Sequence, residues 1–134
     1  MEKIKVLIVD DQESVRQSLR TILQLVDDLE VVGEARDGAE AVEQTKRLEP
    51  DVVLMDMKMA PSDGLSAAKG IREHNESVGV VMITMHHSDI ARERAIEAGV
   101  DAFVEKGIAM EDLVDKIRQV YRRRGQREKK DGKN

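Results

Sequence analysis

Five polar side chains follow short apolar runs of this chain, and their types suit chemistry on a phosphoryl group. In chain order they are Asp10, Asp11, Asp56, Thr84 and Lys106. Grouped carboxylates are ligands of hard divalent cations such as Mg²⁺. A hydroxyl and an ammonium group suit the oxygens of a phosphoryl group. The residue types therefore favour metal-assisted phosphoryl chemistry, provided that the fold brings the five together.

The apolar runs themselves predict a fold that does so. Each is short and rich in Val or Ile, as buried strands of a parallel sheet are, and they start at Ile4, Leu29, Val52, Val80 and Ala102. Helical segments follow the strands, with predicted bounds near 14–26, 37–48, 66–73, 90–98 and 111–123. We predict an α/β fold of the (βα)5 type, a doubly wound parallel five-stranded sheet with helices on both faces.

The predicted strand order places the polar residues at one edge of that sheet. The second strand is expected beside the first, and the third on the other side of the first. The order therefore reverses next to Asp10, Asp11 and Asp56. In an open α/β sheet, ligands bind outside the carboxyl ends of the strands at such a reversal. Asp56 ends the central strand and is the best candidate nucleophile.

Length and composition are those of one small domain. The 134 residues include no cysteine, which excludes disulfides and thiolate metal sites. No apolar run approaches membrane-spanning length, and we expect no signal peptide, no membrane partner and a cytoplasmic location. One Phe and one Tyr are the only aromatic residues, so a surface that stacks nucleic-acid bases is not expected.

The charge of the chain is unevenly distributed. Residues 122–134 hold seven basic and two acidic residues, whereas residues 1–121 hold fifteen basic and twenty-five acidic residues. An acidic body argues against nucleic-acid binding by the domain itself. We predict a domain over residues 1–123 and a basic disordered tail or linker over residues 124–134. Direct nucleic-acid binding by the tail is a weaker alternative, since charge runs are usually solvated.

These motifs together resemble the receiver domain of two-component response regulators. The resemblance covers about residues 4–123. It rests on the acidic pair after the first strand, Asp56 after the third, a Met-containing loop that ends in Asp63-Gly64, Thr84 after the fourth, and Phe103 three residues before Lys106. Each motif alone is weak, but the ordered set is specific. The resemblance implies a flavodoxin-like receiver fold and a signalling switch rather than an enzyme.

The resemblance also implies a role for each site residue. Asp56 would accept a phosphoryl group from a histidine kinase. Lys106 and Thr84 would hold phosphoryl oxygens. Thr84 and Phe103 would form a switch that responds to phosphorylation, although Phe103 is also a natural core residue of the last strand.

A Mg²⁺ ion is the cofactor that the resemblance implies. Asp11, Asp56 and the backbone carbonyl of Lys58 would bind the ion directly. Asp10 would bind it through water. Without the resemblance, an Asp after a strand is often only a turn or helix-capping residue.

Two other functions remain open on the sequence alone. Hydrolases of the haloacid dehalogenase type also form an aspartyl phosphate, but they need an acid two residues after the nucleophile, where this chain has Lys58. A pseudo-receiver would serve only as an interaction module, and the complete set of site residues argues against it.

Several positions depart from the family pattern. Ala60 stands where the family often has Pro, and Gly107 stands where Pro often follows the lysine. Met85 follows Thr84 where many receivers have a small residue, and its side chain either packs in the loop or narrows access to the site. The spacing of His86 and His87 is wrong for a transition-metal site.

The phrases around Thr84 and Lys106 resemble receivers that precede LuxR-type DNA-binding domains. We therefore expect DNA contact only through an output domain that this chain does not include. A stand-alone receiver that acts through protein contacts is the alternative. A homodimer through the fourth helix, fifth strand and fifth helix is also expected, because these helices carry mixed charge.

Overall fold

Residues 2–58, 64–85 and 88–131 are described by a computed structural model, and they contain one parallel five-stranded sheet. The strands are β1 (Ile4–Val9), β2 (Leu29–Ala35), β3 (Val52–Asp56), β4 (Gly79–Thr84) and β5 (Ala102–Glu105). Their order across the sheet is β2-β1-β3-β4-β5. The predicted fold class and the reversal of strand order beside β1 are confirmed.

Five helices connect the strands or follow the last of them. They are α1 (Glu13–Leu23), α2 (Gly38–Leu48), α3 (Gly64–His74), α4 (Asp89–Glu97) and α5 (Met110–Asp131). Within the described ranges, no helix is both long and apolar enough to cross a membrane.

Two apolar layers hold the helices against the sheet. Alternate strand residues such as Val53, Met55 and Met82 face α2, α3 and α4 on one side. Residues between them, such as Leu54 and Val81, face α1 and α5 on the other side. Because side chains of a strand alternate between faces, the near-continuous apolar runs of the sequence supply both layers.

Two helix starts follow from local capping chemistry. The Asp37 side chain accepts a hydrogen bond from the Glu40 N–H at 2.8 Å, as the sequence predicts for the start of α2. The Glu40 carboxylate bonds the Arg36 N–H at 3.2 Å. Ser88 caps α4 in the same way by accepting from the Ala91 N–H at 3.1 Å.

The last helix is longer than the sequence predicted. The predicted end near Arg123 was wrong, since α5 continues to Asp131. Arg124 gives part of the reason, because its guanidinium bonds the Asp101 carboxylate and the Glu76 carbonyl and so fastens the next turn to the domain. Arg, Gln, Glu and Lys are also good helix formers. The linker role of residues 124–134 stays a prediction.

Candidate functional site at the carboxyl edge of the sheet

The parallel strands bring the predicted residues to one edge of the sheet. Asp10 directly follows β1, while Asp56 and Thr84 are the last residues of β3 and β4. Lys106 directly follows β5, and its backbone N–H donates to the Thr84 carbonyl at 2.7 Å. The fold thus gathers these four residues, together with Asp11, at the carboxyl ends of neighbouring strands.

Asp10 is buried and held by its backbone and its side chain. It is 3% exposed. Its N–H donates to the Ala35 carbonyl at 3.1 Å, and its Oδ1 accepts from the Gln12 N–H at 2.9 Å. Burial raises the pKa of the Asp10 carboxyl group, the Gln12 N–H opposes the rise, and the charge of Asp56 adds to it. Removal from water therefore disfavours the ionised form of Asp10.

Asp56 lies at the centre of the edge with a cation beside it. The residue is 7% exposed. Its Oδ2 lies 3.4 Å from the Lys106 Nζ, and its Oδ1 accepts from the Lys58 N–H at 3.2 Å. The side chain of Lys106 is about one-third exposed, so it can reach a ligand as well as Asp56. One carboxylate thus lies within reach of both a cation and solvent.

The three carboxylates form a cluster that fits a divalent cation. One oxygen each from Asp10, Asp11 and Asp56 lies within 4.8 Å of the other two. Asp10 and Asp56 are buried, whereas Asp11 is exposed. Like charges at this spacing repel, and oxygen donors of this kind are those that Mg²⁺ prefers. The residues therefore suit the metal predicted for this edge, while the part of the Lys58 carbonyl in binding it stays a prediction.

Gly64 determines how closely α3 approaches the site. A Cβ at this position would lie 2.6 Å from the Asp56 carbonyl oxygen and 3.0 Å from the Met57 Cα. The Gly64 N–H donates to the Met57 carbonyl at 2.7 Å. A side chain here would push α3 away from the end of β3. Gly64 of the Asp-Gly motif thus has a packing role that its sequence pattern did not indicate.

The predicted switch residues lie on neighbouring strands. Thr84 is 4% exposed, and Phe103 packs against the apolar layer of α2, α3 and α4. Phe103 pairs with Met82, two residues before Thr84. Phe103 is thus the second residue of β5 rather than its end, and the two-residue offset places Thr84 and Phe103 on the same face of the sheet. The core role predicted for Phe103 agrees with this packing.

The departures from the family pattern have structural consequences where the structure describes them. Gly107 has φ of +94°, which a proline ring cannot adopt. Met85 is 67% exposed, so it does not fill a gap in the loop. The loop that contains Ala60 and the pair His86-His87 lie outside the described residues.

Arg16 of α1 contacts the site, and sequence reasoning missed it. Its NH1 donates to the Asp10 backbone carbonyl at 2.6 Å, and its Nε bonds Glu34 Oε1 at 3.1 Å. A basic residue in the first turns of the helix after Asp10, with an acidic residue near the end of the adjacent strand, was the available signal.

Comparison with known proteins identifies the family. The sequence-family model of the response regulator receiver domain matches residues 6–118. The response regulator protein VraR of Staphylococcus saprophyticus is 37% identical over 118 residues, which cover 88% of this chain and 56% of VraR. The chain thus spans little more than half the length of this relative.

Two solved structures extend the comparison. The response regulator domain of Thermotoga maritima CheB has a TM-score of 0.83 at 32% identity, over 90% of this chain and 98% of that one. A DNA-binding response regulator of the LuxR family from Staphylococcus aureus has a TM-score of 0.81 at 28% identity, over 88% and 98%. The chain belongs to the response regulator receiver domains, which are signalling domains of two-component systems.

Proposed function

We propose that this domain accepts a phosphoryl group on Asp56 and acts as a phosphorylation-controlled switch. The observation that carries the proposal is the surroundings of that carboxylate at the end of the central strand. Lys106 Nζ lies 3.4 Å away, and oxygens of Asp10 and Asp11 lie within 4.8 Å. A candidate nucleophile, an ammonium group and a carboxylate cluster that suits a metal ion thus lie within a few ångströms of one another.

The proposed step is a transfer from the phosphohistidine of a histidine kinase. A carboxylate oxygen of Asp56 attacks the phosphorus atom, so an O–P bond forms while the N–P bond breaks. The electron pair of the broken bond leaves with the imidazole nitrogen. Lys106 offsets the charge of the new phosphoryl group, and Thr84 donates its hydroxyl to a phosphoryl oxygen.

The acidic cluster needs a cation for this step. Asp11, Asp56 and the carbonyl of Lys58 would hold a Mg²⁺ ion, with Asp10 acting through water. When bound, the ion supplies the positive charge that offsets repulsion between the carboxylates and the phosphoryl donor. Lys106 by itself balances only one of the three carboxylates.

The switch that follows would involve Thr84 and Phe103. Their shared face and two-residue offset support this part of the proposal. Movement of the Thr84 hydroxyl toward a phosphoryl group leaves space behind it, and Phe103 turns into that space. The hydroxyl–phosphoryl hydrogen bond exists in only one of the two states and therefore biases the equilibrium between them.

The proposed output lies outside this chain. We propose that phosphorylation controls an attached DNA-binding domain in a cytoplasmic transcription regulator. The support is the similarity to LuxR-family regulators and the 56% of VraR that the chain spans. The alternative is a stand-alone receiver that acts through protein contacts.

The surface formed by α4, β5 and α5 would carry a weak homodimer. Charged residues of both signs are exposed on α4 and α5, among them Arg92, Glu93, Glu97 and Asp112. A twofold contact uses each of these charges twice. Sedimentation with and without beryllofluoride tests this part, and a monomer in both states contradicts it.

Beryllofluoride binding tests the proposed acceptor without a kinase. Fluorine NMR of wild-type protein should show bound beryllofluoride only when Mg²⁺ is present. Asp56→Asn should abolish the bound signal, because beryllium needs a carboxylate oxygen to bind. Asp27→Asn, at an exposed position, is the control and should leave the signal unchanged. A bound signal of wild-type intensity in Asp56→Asn contradicts the proposal.

A further inference from the structure

The guanidinium of Arg16 bridges the site and the neighbouring strand. NH1 donates to the Asp10 carbonyl at 2.6 Å, and Nε donates to Glu34 Oε1 at 3.1 Å. The Arg16 side chain is 15% exposed, so water competes weakly for these contacts. We propose that Arg16 is a positioning residue, which fixes the Asp10-Asp11 segment in the conformation that binds a divalent cation. This inference rests on the proposed function.

The contact restrains the peptide bond that joins two proposed metal ligands. The Asp10 N–H is already held by the Ala35 carbonyl at 3.1 Å. Arg16 holds the carbonyl at the other end of the same residue. Because the peptide bond between Asp10 and Asp11 is planar, fixing the Asp10 carbonyl also fixes the Asp11 N–H and limits where the Asp11 side chain can point.

Glu34 keeps the guanidinium of Arg16 in this orientation. Its Oε1 accepts from Arg16, and its Oε2 accepts from Arg20 Nε at 2.6 Å. The carboxylate of β2 thus holds two successive arginines of α1, with one helical turn between them. Holding the planar fork in place before the cation arrives reduces the ordering cost of binding.

If only its charge is considered, Arg16 should weaken the binding of Mg²⁺ rather than strengthen it. A guanidinium beside an acidic cluster repels an approaching Mg²⁺ ion, although Glu34 offsets part of that charge. Replacing Arg16 with a neutral residue would therefore change geometry and charge together, with opposing effects on affinity. A lysine keeps the charge but lacks the planar fork that reaches two acceptors. Arg16→Lys separates the two contributions.

Arg20 provides the matched control. It is on the same helix and pairs with the same carboxylate, but it lies one turn farther from Asp10. Arg20→Lys disturbs the ion pair with Glu34 and leaves the hydrogen bond from Arg16 to Asp10 in place. Both variants should lose similar, small amounts of stability in urea unfolding. Only Arg16→Lys should change how the chain binds the metal.

Calorimetric titration of the full 134-residue chain with Mg²⁺ tests the proposal. Arg16→Lys should weaken Mg²⁺ binding about tenfold, as loss of an outer contact to a metal site commonly does. Arg20→Lys should stay within about twofold of wild type, because this partly exposed ion pair lies one helical turn farther from Asp10. In Arg16→Lys, amide hydrogen exchange at Asp11 and Gln12 should also be faster.

The outcomes separate this inference from the proposed function. If the wild-type chain binds Mg²⁺ and Arg16→Lys binds it with the same affinity, the role of Arg16 is overturned while the proposed function stands. Equal losses of Mg²⁺ affinity in the Arg16 and Arg20 variants also overturn it, since they would point to Glu34 pairing in general. A wild-type chain that binds no Mg²⁺ overturns the proposed function and this inference with it.

Discussion

Carboxylates lie in opposite surroundings at the two edges of the sheet. At the carboxyl edge, Asp10, Asp11 and Asp56 crowd within 4.8 Å, with Lys106 as the cation in contact with Asp56. At the amino edge, the Asp101 carboxylate is paired with the guanidinium groups of Arg72 and Arg124. An unpaired buried charge destabilises a fold, and removing one partner of a buried ion pair creates such a charge. The amino-edge network thus links elements of the domain, whereas the crowded carboxylates of the carboxyl edge suit a bound cation.

The Asp101 carboxylate accepts four hydrogen bonds. Oδ1 accepts from Arg124 Nε at 2.8 Å and from Arg124 NH2. Oδ2 accepts from Arg72 NH2 at 3.1 Å and from the Val80 N–H at 2.8 Å. The side chains of Asp101, Arg72 and Arg124 are 8%, 18% and 13% exposed. This network ties α3, β4 and the end of α5 together on the side away from the site.

Breaking the Asp101 network at the amino edge should have the largest effect on stability. Asp101→Asn leaves two largely buried guanidinium groups without their anion and should lower the free energy of unfolding by about 3 kcal/mol. Urea unfolding measures the change. Glu40→Gln disturbs the exposed pair with Arg36 and should cost less than about 0.5 kcal/mol. Similar losses in both variants would show that the buried network contributes no more than a surface pair.

Overpacking the carboxyl edge at Gly64 should have the next largest effect on stability. In Gly64→Ala the new methyl group meets the Asp56 carbonyl at 2.6 Å, so the end of β3 or the start of α3 must shift. We expect a loss of about 2 kcal/mol in urea unfolding and slower phosphorylation by acetyl phosphate.

Gly70→Ala is the matched control within α3. Its methyl group meets only the Val42 side chain, whose nearer methyl carbon lies at 2.9 Å, and no backbone atom outside α3 within 4 Å. Ala also favours the helix over Gly. This variant should keep wild-type stability and phosphorylation, and an equal loss would exclude the backbone contact at Gly64 as the cause.

Relieving charge at the acidic edge should stabilise the domain. Since the pKa of Asp10 is raised by burial, its contribution to stability is present in full below the ordinary value of 3.8 and is lost as pH rises through the raised pKa. At neutral pH without Mg²⁺, Asp10→Asn should therefore raise the free energy of unfolding by about 1 kcal/mol. The gain should shrink as pH falls, and added Mg²⁺ should stabilise wild type more than the variant.

Urea unfolding at neutral and mildly acidic pH, with and without Mg²⁺, checks this prediction. Asp27→Asn, at an exposed position away from the site, should show no such dependence. A loss of stability in Asp10→Asn at neutral pH would contradict the view that the acidic edge is destabilising.

The smallest expected effect concerns Met85 at the same edge. Its exposed side chain follows the buried Thr84 and can lean over the site. Met85→Ala should raise both acetyl phosphate loading and the rate of dephosphorylation, by no more than about threefold because a free Met side chain swings away easily. Phosphorylation half-lives at equal Mg²⁺ measure both rates. If neither rises, Met85 does not limit access.

The sequence predicted the residues that meet at the carboxyl edge more fully than the Asp101 network at the amino edge. Asp10, Asp56 and Thr84 end or follow strands, and strand ends in a parallel sheet share one edge. By contrast, Asp101 precedes β5 and Arg124 lies within α5, and the two residues meet only after folding. The charge pattern past Arg123 is typical of a solvated tail. Nothing in the local sequence indicates that Asp101 anchors the turn of α5 that contains Arg124.

Contacts that cross elements account for the rest of the difference. The hydrogen bond from Arg16 to the Asp10 carbonyl depends on the angle between α1 and the sheet, which local pattern does not specify. The close approach of Gly64 likewise depends on the path of α3. Residue type and order therefore predicted that Asp56 and its polar neighbours meet at one edge, whereas the contacts of Arg16 and Gly64 required coordinates.

Site-resolved phosphorylation tests the central claim about the acidic edge most directly. The full chain is incubated with acetyl phosphate and Mg²⁺, its intact mass is recorded, and the modified residue is mapped in peptides. We predict one added phosphoryl group, located on Asp56, that is absent without Mg²⁺ and absent in Asp56→Asn. Phosphorylation of Asp56→Asn to the same extent as wild type, or modification at another residue, would contradict the account.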